Sequence, residues 1–217
     1  MHIDNSLRKM DRILIYIHAL PKAIRGILRG FLFSEREGIQ FIGRRVSITH
    51  SNRIVCGKNV KFEDYAEIHG LARQGLHFGN NVTIGRGTMI RPSSYYGGDF
   101  GEGLAIGDDS SIGPHGYVGC AGKIQIGSNV MCGPKCSFFA ENHVFKNLSI
   151  PIKEQGVIHK GIVIEDNCWL GSNVIVLDGV TIGEGSVIGA GTIITKSIKP
   201  GSKVYDSRSK VIVARKN

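Results

Sequence analysis

IEDNCWLGSNVIVLDGVTIGEGSVIGAGTIIT, residues 164–195, places one aliphatic residue at every sixth position: Ile164, Leu170, Val176, Ile182, Ile188 and Ile194. A period of six is neither the 3.6 of an amphipathic helix nor the 2 of a plain strand alternation. Gly171, Gly183 and Gly189 directly follow three of these residues, and a small or β-branched residue stands two positions before them, at Cys168, Val174, Val180, Ser186 and Thr192. Residues two apart share one face of a strand, so each unit turns one large and one small side chain toward the same interior. Such a unit is a short strand plus a bend, stacked in a solenoid, and three units close one triangular coil. The strands of a sandwich are irregularly spaced and bounded by turn clusters, which this stretch lacks.

Toward the N-terminus the beat continues. It predicts Ile42, Ile48 and Ile54 in a first coil, Cys56, Phe62 and Ile68 in a second, and Phe78, Ile84 and Ile90 in a third. Ile106, Ile112 and Val118, then Ile126, Cys132 and Phe138, follow. With the two coils of the opening stretch this makes seven, a prism roughly 30–35 Å long at a strand spacing of about 4.8 Å. The expected organisation is a basic helical segment at 1–40, an all-β solenoid at 41–195 and a basic tail at 196–217. Two long insertions interrupt the beat, 91–105 (RPSSYYGGDFGEGLA) and 139–163 (FAENHVFKNLSIPIKEQGVIHKGIV). Neither is needed to close a coil, so each is a candidate carrier of function.

The chain has 217 residues and a formal net charge of +9, and the excess sits at its two ends. Residues 1–45 hold nine basic and four acidic residues, and 196–217 hold seven and one. Such ends favour anionic partners such as phosphates, a membrane surface or an acidic glycan. Five cysteines fall inside the repeat with no CxxC pair, and they read as small core residues of a reducing compartment. No signal-peptide layout precedes them, which makes the cytoplasm the expected compartment. Residues 11–33 form a basic amphipathic helix, with Ile13, Ile17, Leu20, Ile24, Leu28 and Phe31 on one side and His18, Lys22, Arg25 and Arg29 on the other. Pro21 is expected to kink or divide it. Two roles are open: an apolar cap on the first coil, or peripheral contact with an anionic membrane through the basic residues.

The ENHVF of residues 141–145, the IPI of 150–152, the coil IEDNCWLGSNV and the closing GVTIGEGSVIGAGTIITKSIKPGS together resemble the hexapeptide-repeat, left-handed β-helix acyltransferases, over about residues 40–200. The branch most similar acetylates sugars, polysaccharides and some antibiotics. The resemblance implies left-handed winding, a homotrimer with sites between subunits, and acetyl-coenzyme A as acyl donor. It makes His143 the general base, a role suited to imidazole near neutral pH. It puts the oxyanion donor at Gly171 or Ser172 with Trp169 lining the site, and the pantetheine beside Gly189 and Ala190. Thr195 and Lys196 match contacts to the nucleotide end, and the basic tail, with Lys199, Lys203, Arg208 and Lys210, supplies charge for the coenzyme's phosphates. Glu141, Asn142 and His115 are the expected acceptor contacts, although Gly113 stands where sugar-acetylating members have an asparagine. The chain also reads Asp206, Ser207, Arg208, Ser209, Lys210 where many relatives have a GNPAK-like turn.

Zinc enzymes on this fold need histidines at HxxxxH spacing, which is absent here, so no metal is expected. GEGSVIGAG lies inside coils and opens no helix, so it is not a dinucleotide fingerprint. No nucleic-acid partner is expected. The sequence thus points to an O-acetyltransferase acting on a surface polysaccharide (O-antigen, capsule or exopolysaccharide) or its precursor. An N-acetyltransferase of a nucleotide-linked amino sugar, an antibiotic O-acetyltransferase and a non-catalytic solenoid scaffold are the alternatives.

Overall fold

The computed structural model describes residues 6–92 and 100–207. From Glu35 to Val204 the chain winds as a left-handed parallel β-helix whose three sheets are the sides of a triangular prism. Sheet A stacks seven strands, from Glu35–Arg36 to Thr181–Ile182, and sheet C stacks seven, from Ser47–Thr49 to Ile193–Ile194. Sheet B adds an eighth strand, running from Phe41–Ile42 to Lys203–Val204. The seven coils are those that the six-residue spacing predicts. Ile164, Leu170, Val176, Ile182, Ile188 and Ile194 all point inward and are buried, as are Cys168, Val174, Val180, Ser186 and Thr192 two positions before them. All five cysteines are free and buried, and burial pushes the Cys56 and Cys120 thiols up to about 12.

The first coil begins earlier than the beat indicates. Glu35 pairs with Val55 and Arg36 with Cys56, so Ile54 opens the second coil instead of closing the first. Strands of sheet A bury two residues each, as in Ile54 and Cys56, Leu76 and Phe78, or Ile124 and Ile126. In the first coil that strand is Glu35–Arg36, whose charged residues hide it from a hydrophobic pattern.

Two backbone requirements set the corner residues. Three positions before an inward residue the chain takes a left-handed turn, at Asn59, Asn81, Asp109, Asn129, Asn167 and Asn173 among others, residue types that tolerate it. The glycine directly after an inward residue answers a different need, the close approach of the next coil. A Cβ on Gly171 would stand 2.7 Å from the Ala190 nitrogen, and one on Gly133 would stand 2.7 Å from that of Ser172.

Backbone bonds run both ways between coils: Phe41 and Ser47 of the first coil donate to Val60 and Ala66 of the second, while Asn59 and Tyr65 of the second donate to Ile39 and Arg44 of the first. At the open end the carbonyls of Ile42 and Val46 have no coil before them, and the helix α1 (Lys9–Gly30) supplies donors to them. Arg25 Nε donates to the Ile42 carbonyl at 2.7 Å, and Arg29 Nη1 to that of Val46 at 2.9 Å. Lys22 pairs with Glu63, and Gly26 is buried so tightly that a methyl there would overlap the Gln40 carbonyl.

Both expected roles of the helix are thereby corrected. It caps the coil through its basic side, whose guanidinium donors satisfy the Ile42 and Val46 carbonyls as methyl groups could not. Ile13, Ile17, Leu20, Ile24, Leu28 and Phe31 face away and are exposed. Pro21 does not divide the helix; it lies exposed, where water can satisfy the carbonyl it leaves without a donor.

The double variant Arg25→Ala, Arg29→Ala removes two charged donors at about 1–2 kcal/mol each. Its urea midpoint should fall accordingly while the slope stays the same. An unchanged midpoint would show that these contacts do not hold the cap.

Candidate functional site

At the end of the sheet C strand Ser137–Phe139 the chain leaves the prism as a hairpin. Asn142–His143 pairs antiparallel with Val157–Ile158, placing His143 opposite Val157. Asp178 anchors the base: its carboxylate accepts the N–H groups of Lys160 at 2.9 Å and Gly161 at 2.8 Å, and Asn142 Nδ2 at 3.5 Å. Glu141 Oε2 lies 3.8 Å from His159 Nε2. Two of the expected acceptor contacts, Glu141 and Asn142, are thus engaged with the hairpin base. The His143 ring is exposed and has no hydrogen-bond partner among the described residues. Asp178 was missed in the sequence, where its only signal is an Asp-Gly pair closing a strand, a usual corner sequence.

Gly171 and Ser172 lie on the prism edge between sheets B and C, stacked under Gly189 and Ala190 of the next coil. Each coil meets this edge in the same way. The first corner residue donates to the coil that follows: Gly133 to Leu170, Gly171 to Ile188, Gly189 to Val204. The third corner residue donates to the coil before, as Lys135 does to Pro114, Asn173 to Pro134 and Gly191 to Ser172. The second corner residue has no ladder partner. In the fourth and fifth coils it is Pro114 and Pro134, which have no N–H to leave unpaired.

In the sixth and seventh coils it is Ser172 and Ala190, whose N–H groups find no acceptor among the described residues. In the second and third coils Asp64 and Arg86 leave theirs free at the same edge among the described residues, while at the edge between sheets A and B side chains answer several of these N–H groups. There Lys58 donates to Asn80, Asn80 to Asp108, and Ser128 to Asp166. The same bonds from Asn80 hold the Asp108 carboxyl below the usual range. Of the two expected oxyanion donors, Gly171 is therefore already committed to Ile188, and Ser172 is the one available.

Trp169 stands half-exposed on the outer face of sheet B, in register between Met131 and Val187. Thr195 and Lys196 are exposed just past the last sheet C strand, with Lys199 and Lys203 exposed on the turn that follows. Arg208 and Lys210 lie outside the described residues, as do residues 93–99 of the 91–105 insertion. His115 is on the edge between sheets B and C, two coils before Ser172, and its ring leans the other way, over Gly87. The structure does not bring it to the Ser172 corner.

Between the hairpin and that corner runs the outer face of sheet C. There Tyr117 packs on Phe139 with centroids 5.4 Å apart, and Arg91 pairs with Glu67. Burial raises the Tyr117 phenol above its ordinary range. His143 and Ser172 belong to opposite ends of this side, which is six residues or roughly 20 Å wide at the usual strand rise. Among the described residues no group of His, Cys, Asp and Glu is arranged to hold a metal ion, and no helix is long and apolar enough to cross a membrane.

Residues 161–196 match the family model described as Bacterial transferase hexapeptide (six repeats). The galactoside O-acetyltransferase of Lactococcus lactis is 43% identical over 35% of this chain and 35% of its own length. The galactoside O-acetyltransferase of Escherichia coli is 31% identical over 55% of this chain and 57% of its own. This chain therefore spans between about a third and somewhat over half of these curated relatives. The fold is shared with AntD, an N-acyltransferase from Bacillus cereus solved with dTDP-4-amino-4,6-dideoxyglucose and coenzyme A. There the TM-score is 0.55 over 89% of both chains, at 18% identity.

Two substitutions separate the roles of neighbouring corner residues. Gly171→Ala drives a methyl against the Ala190 backbone and should cost about 1–3 kcal/mol. Ser172→Pro should leave the melting temperature within a degree or two, since Pro134 occupies the equivalent corner below it. Thermal melts of both variants check this, and a large loss in the proline variant would mean that the Ser172 N–H has a structural partner.

Proposed function

From a chain that belongs to the hexapeptide-repeat transferases, we propose an acetyltransferase that moves the acetyl group of acetyl-coenzyme A to a sugar hydroxyl of a surface polysaccharide or its precursor. The observation that supports it most is the edge between sheets B and C, where the N–H groups of Ser172 and Ala190 are left outward and unpaired. Rigid donors of this kind suit a thioester: Ser172 meets the carbonyl oxygen as it becomes an oxyanion, and Ala190 meets the amide-bearing pantetheine arm one coil on. Lys196, Lys199 and Lys203 lie at the same end of the prism and offer charge to the phosphates.

His143 is the general base of this reading. Its imidazole takes the proton of the acceptor hydroxyl as the oxygen attacks the acetyl carbon, and the coenzyme leaves as its thiol. The exposed ring and the anchored hairpin support this role. Because the hairpin and the Ser172 edge belong to opposite ends of one side of the prism, the site is completed by a second prism, in a homotrimer. A hydroxyl acceptor accords with the galactoside O-acetyltransferase relatives. Five buried free thiols and a coenzyme A donor suit the cytoplasm.

Purified protein supplied with acetyl-coenzyme A and panels of sugars, nucleotide sugars and oligosaccharides should release thiol with a glycan hydroxyl acceptor. His143→Ala should lower kcat/KM by about two to four orders of magnitude with unchanged melting. Ser172→Pro should lower kcat about a hundredfold with the fold intact. Full activity of either variant would remove that residue from the site, and full activity of a monomer in light scattering would refute the shared site.

A further inference from the structure

The face of α1 that points away from the prism has no partner within the chain. Met10, Ile13, Ile17, Leu20, Ile24, Leu28 and Phe31 line it, with Pro21 among them, and exposure runs from 47% at Ile24 to 73% at Phe31. Ile27 on one flank and Leu14 and Leu32 on the other are exposed as well. At about 100° per residue the stripe covers roughly 140° of a helix about 33 Å long. No charged residue interrupts it. Beside it a groove of about 390 Å³ opens between Ile13, Tyr16, Leu20 and Phe41 and is almost wholly apolar. Such a continuous surface exceeds what a soluble protein ordinarily leaves to water.

The charges around the stripe are mostly positive. Arg8 and Lys9 are exposed at the start of the helix, and Arg44 stands across a cleft from Ile17 and Pro21. Arg36 stacks on Phe31, its guanidinium carbon 4.6 Å from the ring centroid. The acidic groups at this end are Asp11, Glu35, Glu37, Glu63 and Asp64, of which Glu63 is paired with Lys22. Asp64 is occupied by the Arg44 N–H, and Glu37 lies near Lys58.

From this arrangement we propose that α1 docks the protein on an anionic phospholipid bilayer, with the uncharged stripe entering the headgroup and acyl boundary and Arg8, Lys9, Arg36 and Arg44 meeting lipid phosphates. The contact is the reverse of a basic-face contact, since Lys22, Arg25 and Arg29 are consumed by the prism. A pairing seam between two helices needs only a narrow line of residues, whereas a stripe this wide with a basic fringe has the form of an interfacial helix. The helix lies on the surface and does not span it.

Flotation of the full chain with vesicles of phosphatidylcholine and phosphatidylglycerol at 7:3, and of phosphatidylcholine alone, tests this. The wild type should float with the anionic vesicles, more weakly with the neutral ones, and progressively less as salt rises. The triple variant Leu20→Ser, Ile24→Ser, Leu28→Ser should lose at least tenfold in partitioning while its mass in light scattering and its thermal midpoint stay unchanged. As an independent probe, Leu20→Trp in a Trp169→Phe background should shift its emission to the blue on anionic vesicles. A wild type that stays in solution, a triple variant that floats as well as the wild type, or a tryptophan that does not shift would overturn the proposal. So would a change of assembly state in the triple variant, which would show that the stripe is buried between copies of the chain.

Discussion

Each coil of the prism exchanges backbone hydrogen bonds with the coils on both sides of it, and where this ladder stops decides what the free surfaces of the molecule lack. Along the sides nothing is missing, because Phe41 finds Val60, Lys61 finds Val82 and Gly171 finds Ile188. At the first coil the carbonyls of Ile42 and Val46 are left over, and Arg25 and Arg29 answer them. At the last coil Lys196, Lys199 and Lys203 gather, exposed. The basic residues of the two ends therefore serve different purposes: at the start they donate to backbone, and at the finish they offer charge to anions.

The corners follow the same logic. A bend between two sheets takes three residues, and the ladder provides for the first and third only. The middle N–H must be answered by a side chain, deleted by proline, or left free. The edge between sheets A and B uses side chains in several coils, with Asn80, Asp108 and Asp166 accepting in turn. The edge between sheets B and C uses the Asp64 carboxylate for Arg44 and proline at Pro114 and Pro134, and among the described residues it leaves the N–H free at Asp64, Arg86, Ser172 and Ala190. Ser172 is half-buried and Ala190 exposed, two neighbouring donors open to a ligand on one edge.

The sequence made the prism legible because its interior is periodic: Ile164 to Ile194 recur at six because each points into the same narrow column. It failed where geometry depends on hydrogen bonds that leave no hydrophobic mark. Glu35–Arg36 forms a strand although both residues are charged, since sheet A there needs only backbone pairing with Val55 and Cys56. The side of α1 that docks was misjudged for a related reason. Amphipathicity divides a helix into two faces, but which face turns inward depends on what the surface beneath it offers, and here that surface offers the unpaired carbonyls of Ile42 and Val46. His143, Ser172 and Ala190 were visible through resemblance, while Asp178, which fixes the hairpin, is one aspartate among many until the fold brings it beneath Lys160 and Gly161.

The inverted helix has a consequence for how the molecule is arranged. Since Arg25 and Arg29 reach up into the first coil, the apolar stripe is tied to the outer surface at the N-terminal end of the prism, and the Ser172 edge lies five coils further along. At about 4.8 Å per coil that is roughly 20–25 Å. Whatever covers the stripe is therefore held at a fixed distance from the unpaired N–H groups, on the far side of the hairpin that holds His143. Freedom in this arrangement is confined to the insertions that leave the prism, because the coils between stripe and edge are saturated by their ladder and tightly filled. A substitution that weakened the cap would loosen the stripe without displacing Ser172 or His143, so the two ends of the molecule can be altered separately although one continuous ladder joins them.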